Sequence, residues 1–91
     1  MPKLLKKELL PLGSVVVLKE GTKEVMIFAR KKRIEEDTKI YDYVACLYPE
    51  GYIPYGQSYF FDHAKIDKVL HMGFVNEAEK YYKIELLTDM D

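Results

Sequence analysis

The stretch SVVVLKEGTKEVMIFAR, residues 14–30, decides the fold. Its two arms, Ser14 to Leu18 and Lys23 to Arg30, are rich in β-branched and aromatic side chains that suit a pleated strand, and Glu20-Gly21 stands before the second arm. The pair reads as an antiparallel hairpin. Val15 and Val17 alternate with Val16 and Leu18, and Val25, Ile27 and Ala29 alternate with Met26 and Phe28, so neither face is polar. A sheet with one wet face would show polar alternation, so both faces must be covered. Either the sheet curls into a small SH3-like barrel, or helices and a partner cover it.

Outward toward the C-terminus, residues 30–39 carry a basic half (RKKR) and an acidic half (EED), which reads as a solvated hairpin tip; Ile40 to Leu47 reads as a third strand. Tyr48-Pro49-Glu50-Gly51 and Ile53-Pro54-Tyr55-Gly56 place proline and glycine as type I turns favour them, giving two successive turns and a shaped loop. Ser58 to Phe61 is then a short extended segment. Asp62 is placed to cap a helix over 63–72, which Gly73 would end in a left-handed conformation, folding Phe74 back on Val69. Asn76 and Glu79 form a capping pair for a final helix running to about Leu87. That helix has two apolar stripes, Ala78, Tyr82, Leu86 and Tyr81, Ile84, Leu87, and one packing surface cannot bury both. Toward the N-terminus, Lys3 to Leu10 reads as a short amphipathic arm that ends at Pro11. The expectation is an α+β fold: an arm over 1–10, then one domain over 11–91 with a small, curved antiparallel β-meander and two C-terminal helices.

Composition narrows the function classes. Hydrophobic residues make up 48% and charged residues 32% of the 91, which is globular rather than disordered. Fourteen basic against fifteen acidic side chains give a net charge of -1, so no overall field draws in nucleic acid. Cys46 is the single cysteine, which excludes an internal disulfide and points to the cytoplasm. No run of eighteen apolar residues argues for membrane insertion, and the first ten residues lack an apolar stretch of signal-peptide length.

Read in order, LLPLGSVVVLKEG, KEVMIFAR, YDYVACLYPEGY and YFFDHAKIDKVLHMGF resemble the domain of unknown function family 4176 of Gram-positive bacteria, from about Leu9 to Phe74, most specifically over Tyr41 to Tyr52. The resemblance implies a compact, strand-rich domain encoded near polymorphic toxins of the type VII secretion system, hence a cytoplasmic accessory factor or chaperone for such a toxin. It brings no catalytic residues, and the charged loop 30–39 is where such sequences vary.

The densest feature of the chain is the tract Tyr48, Tyr52, Tyr55, Tyr59, Phe60, Phe61. Tyrosines on a turn-fixed loop bury much area at low entropic cost and suit protein binding; the plainer alternative is that they fill the core of a domain without tryptophan, as Phe60 and Phe61 are expected to do. Cys46, His63 and His71 have no short zinc-type spacing, so neither a metal nor a cofactor nor thiol chemistry is expected. Asp62, Asp67 and Glu50 are read as cap, solvated helix face and turn rather than as acid and base. The expected function is non-enzymatic protein binding, as chaperone or adaptor for a secreted toxin or effector, with room for a homo-oligomer. Its surface is placed on Tyr48, Glu50, Tyr52 and Tyr55, and secondarily on Tyr81, Ile84 and Leu87. The first rival reading is a small β-barrel that stacks bases on the aromatic tract and meets phosphates with Lys31, Lys32 and Arg33; the second is an enzyme or small-ligand domain, which would need a concave pocket gathering Cys46 or the histidines.

Overall fold

A computed structural model of the chain describes residues 9–34 and 38–87. Five strands, β1 (Val15–Leu18), β2 (Glu24–Lys32), β3 (Tyr41–Leu47), β4 (Tyr59–Phe61) and β5 (Ile66–His71), form one antiparallel sheet in the spatial order β4-β3-β2-β1-β5. A 3₁₀ turn, His63–Lys65, joins β4 to β5, and a C-terminal helix α1 (Glu77–Tyr81) continues as a π-helix over Tyr82–Leu87. The hairpin of residues 14–30 is β1 and β2, with Val15 opposite Met26 and Val16 opposite Val25. β2 bulges at Phe28, between the pairs Ile27–Ala45 and Ala29–Val44.

The sheet curls because its two edge strands are consecutive in the chain. Asp62 to Lys65 alone carry the backbone from β4 at one edge to β5 at the other. Five Cα steps, three of them in a turn that rises about 2 Å per residue, reach roughly 13 Å, less than the roughly 19 Å across five flat strands. The Lys19 amide bonded to the Lys65 carbonyl at 2.9 Å fixes the end of that turn beside β1. The concave side holds the core: Leu9, Leu10, Val16, Val25, Ile27, Tyr43, Ala45 and Phe61, with Leu18, Leu47, Tyr59, Ile66 and Tyr82 packed around it. The ladder is not closed into a barrel; its hydrogen bonding ends at β4 and β5.

The expected helix over 63–72 is a correction: apart from the 3₁₀ turn it is a strand. Local propensity is outweighed by the need to pair the apolar edge of β1, whose amides and carbonyls would otherwise stay unpaired, and Ile66 and Val69 are β-branched residues that accept the pleat. The C-terminal region therefore has one short helix rather than two. Asp62 makes no side-chain cap bond; its carboxylate instead accepts from the Asp42 amide at 3.2 Å and from Lys39 Nζ at 2.8 Å. Gly73 does not adopt the left-handed conformation, which among the glycines belongs to Gly13 and Gly51. It is glycine because a Cβ there would overlap the Leu12 carbonyl oxygen and come within 2.8 Å of its carbon. Phe74, expected on Val69, stays 80% exposed.

The final helix starts as expected, with Asn76 Oδ1 accepting from the Glu79 amide at 3.0 Å. Leu9 and Leu10, the last residues of the expected arm, are packed into the core, while the rest of the arm lies outside the described residues. The charged stretch also differs from a fully solvated tip: β2 runs through Lys32, and Arg30 and Lys31 are buried; residues 35–37 lie outside the description.

Candidate functional site

Between β3 and β4 the loop 48–58 is pinned at several points. The Tyr48 amide donates to the Glu24 carbonyl at 3.0 Å, and Glu50 pairs with Lys23 at 3.2 Å, which ties the loop to the β1–β2 hairpin. The Glu50 carboxyl is held below its usual range by its own backbone amide and then by Lys23. Tyr48-Pro49 is a cis peptide, and Gly51 donates to the Leu47 carbonyl at 2.8 Å, so the first turn is not the expected type I. The second turn closes from the Gly56 amide to the Ile53 carbonyl at 2.8 Å, with Tyr55 at φ 68°. A positive φ at the third position is the mark of a type II turn, a place that favours glycine or asparagine.

Alternation puts Met26, Val44 and Cys46 on the convex face of the sheet. Val44 and Cys46 are buried yet stand outside the core cluster, and the loop lies over this face, with the Tyr52 ring edge-on to Phe28 at 5.4 Å between centroids. The second face that the sequence required to be covered is thus covered in part by the loop. What the loop turns outward is apolar: Tyr48, Tyr52 and Ile53 are each about half exposed or more, and Tyr55 is fully exposed. Tyr48 also borders a shallow groove of about 510 Å³ with Met26, Val15, Leu70 and His71. Tyr59, Phe60 and Phe61, the other half of the aromatic tract, are half-buried or buried in β4.

Tyr81 and Ile84 are exposed on the C-terminal helix, while the side chain of Leu87 lies outside the described residues. The helix borders a groove of about 630 Å³ whose lining includes Leu12, Phe28, Phe74, Ala78 and Tyr82. Phe28 touches Tyr52 and also lines this groove, so the tyrosine loop adjoins the Ala78–Tyr82 side of the helix rather than the side that carries Tyr81 and Ile84.

Beneath them lies a buried polar network absent from the sequence reading. Arg30 makes a two-pronged pair with Glu79, both bonds 2.6 Å, donates to the Leu10 carbonyl at 3.2 Å and sits 5.6 Å from the Tyr82 ring centre. One side chain thereby joins the N-terminal segment, the sheet and the helix. Asp42 accepts from Lys31 Nζ at 3.2 Å and from the His63 amide at 2.8 Å. The Tyr43 hydroxyl accepts from the Leu10 amide at 3.0 Å and lies 2.6 Å from His63 Nδ1. One hydroxyl thus links the N-terminal segment to the turn after β4. Burial holds the Tyr43 hydroxyl well above the usual phenol range, against the lowering effect of the Leu10 amide. The only signals for this network in the sequence were an arginine closing an apolar strand and an aspartate inside YDYVACL.

The chemistry-bearing residues are not gathered. Cys46 is buried, its Sγ 3.7 Å from the Met26 carbonyl. His71 stands in the same cross-strand row, His71–Val15–Met26–Cys46, three strand spacings or roughly 14 Å away. His63 is engaged by Tyr43. Among the described residues no group of three His, Cys, Asp or Glu side chains could hold a metal. Of the basic trio invoked for nucleic acid, Lys31 is buried against Asp42, which leaves Lys32 and Arg33 at the surface. No described helix is long and apolar enough to cross a membrane.

No curated protein and no solved structure matches the chain significantly. A family profile does match, over residues 9–82, which takes in all five strands, the tyrosine loop and the start of the C-terminal helix. The chain therefore belongs to the domain of unknown function family DUF4176.

Proposed function

We propose that this chain is a non-enzymatic protein-binding accessory domain whose docking surface is the pinned loop carrying Tyr48, Tyr52 and Tyr55, with Tyr81 and Ile84 of the helix as a secondary surface. The observation that carries the reading is Tyr55. A bulky residue at positive φ costs about 1–2 kcal/mol relative to an ordinary backbone, and here the strained residue is fully exposed, with no packing on the described residues. Strain of this kind persists where a function holds it. The loop is fixed before any partner arrives, so little ordering entropy is lost on docking. The resemblance seen in the sequence supplies the partner class: a type VII secreted toxin or similar effector, met in the cytoplasm by this domain as chaperone or adaptor.

The finer reading of the fold, a sheet curling toward a small SH3-like barrel, draws support from the short link between its two edges. The test of function is co-purification from the native host, followed by a titration of the purified partner with wild type and Tyr55→Ala. A partner whose affinity falls with the ring, while the domain stays folded, supports the reading; equal affinity overturns the choice of surface.

A further inference from the structure

β5 is an edge strand whose outer side meets no other strand among the described residues, and every residue from Asp67 to His71 is exposed. Its pairing with β1 is irregular. Val69 is opposite Val16 on the core side; Lys68 and His71 are opposite Val17 and Val15 on the convex side, and Asp67 and Leu70 are extra residues at two bulges. Leu70 and His71 border the same convex groove, so the pair at that bulge points one way. Asp67 and Lys68 form the second bulge, on the other side of Val69. Bulges ordinarily blunt an edge against arbitrary strands. Here they are disposed symmetrically about Val69, and a strand with that symmetry matches the reverse of itself.

We propose that the outer edge of β5 pairs antiparallel with β5 of a second copy, about a two-fold axis through Val69, joining two five-stranded sheets into one. A two-fold axis perpendicular to the sheet keeps each residue on its own face, and only an axis at Val69 lays both bulges of one copy against the bulges of the other. Centring on Asp67 opposes two carboxylates, and centring on Lys68 opposes two ammonium groups. Centring on Leu70 sets Lys68 opposite Met72 and Asp67 opposite Gly73, with no charge matched. Centring on Val69 alone sets Asp67 opposite His71 of the second copy, twice. The imidazole N–H donates to the carboxylate in either protonation state. In the same register the aliphatic stem of Lys68 covers Leu70 of the second copy. The pairing uses no residue of the tyrosine loop, although Leu70 and His71 border one groove with Tyr48. A strand pair of this length is a small interface, so the dimer is a weak one.

The experiment is a concentration series in an analytical ultracentrifuge on wild type, Asp67→Lys, His71→Asp, the double variant and Val69→Lys, with circular dichroism to confirm that each folds. Wild type is expected to dimerise reversibly. Each single charge variant opposes like or repelling groups twice per dimer, and should weaken association about tenfold or more. The double variant should regain most of it, and Val69→Lys should be monomeric. A wild type that stays monomeric to its solubility limit overturns the proposal, as does a dimer indifferent to Asp67→Lys, or a double variant no better than the singles. Variants that are unfolded as well as monomeric would overturn the premise that these side chains are surface residues.

Discussion

Glu79→Gln tests whether the Arg30 pair is what holds the C-terminal helix on the sheet. The substitution keeps the size of the side chain and removes its charge, leaving the Arg30 guanidinium buried, its side chain only 3% exposed against 12% for that of Glu79. Removing one partner of a buried ion pair costs about 3–5 kcal/mol. Two features reduce that here. Arg30 keeps the Leu10 carbonyl and the Tyr82 face, and the glutamine oxygen can still accept one of the two bonds. We therefore expect a loss of about 2–3 kcal/mol, a large share of the roughly 5–14 kcal/mol available to a domain of this length, and a fall in Tm of roughly 10 to 15 °C. Denaturant unfolding followed by circular dichroism measures it. Replacing both partners, Arg30→Met with Glu79→Leu, should recover most of the loss, because no charge is then left buried. A Glu79→Gln variant within about 0.5 kcal/mol of wild type would refute the reasoning and class the pair with weak surface bridges.

Three further substitutions test other parts of the structure. Tyr43→Phe removes the hydroxyl that accepts from the Leu10 amide and hydrogen-bonds His63, and should cost about 1–3 kcal/mol in denaturant unfolding at neutral pH. Because burial raises the Tyr43 hydroxyl in the folded state, its contribution is fully present below the unfolded phenol value of about 10 and is lost as pH rises above it; stability should fall more steeply there in wild type than in Tyr43→Phe. Gly73→Ala should destabilise by about 2 kcal/mol or more in thermal unfolding, since the added methyl meets backbone rather than a side chain that could move; an unchanged Tm would mean the Leu12 segment is free to shift. Tyr55→Gly should raise stability by about 0.5–1 kcal/mol, the relief of positive φ less the entropy glycine adds to the unfolded chain; a loss would show that the ring packs on its own domain.

The parts of the fold legible in the sequence were those where local preference and tertiary need agree. The hairpin of residues 14–30, the strand through YDYVACL and the Asn76 cap all combine a turn or cap signal with an apolar run of the matching period. Residues 63–72 misled because Ala64, Lys65, Lys68, Leu70 and Met72 favour helix, while the demand that made them a strand, the unpaired edge of β1, lies some fifty residues away in the chain. Gly73 was legible as special but for another reason: a close backbone approach leaves the same residue preference as a left-handed turn. Tyr48, Glu50, Tyr52 and Tyr55 do share one loop, since two prolines and two glycines announced its shape. The Arg30–Glu79 pair was hidden because a charged residue late in a strand reads as solvent-facing until the bulge at Phe28 shifts Arg30 to the core side, opposite Tyr43, and the Asp42–Lys31 pair because its members lie on different strands.

The central claim is that the loop tyrosines exist to bind protein, and isothermal titration of the partner recovered from the host tests it most directly. Measured against wild type, Tyr52→Ala and Tyr55→Ala should each lose about 2 kcal/mol of binding, roughly a thirtyfold rise in Kd. Tyr55→Ala should do so with its melting temperature unchanged or raised, because its ring contributes nothing to the fold, whereas Tyr52→Ala should lose up to about 1 kcal/mol of stability with its contact to Phe28. A partner that binds both variants as tightly as wild type would contradict the account.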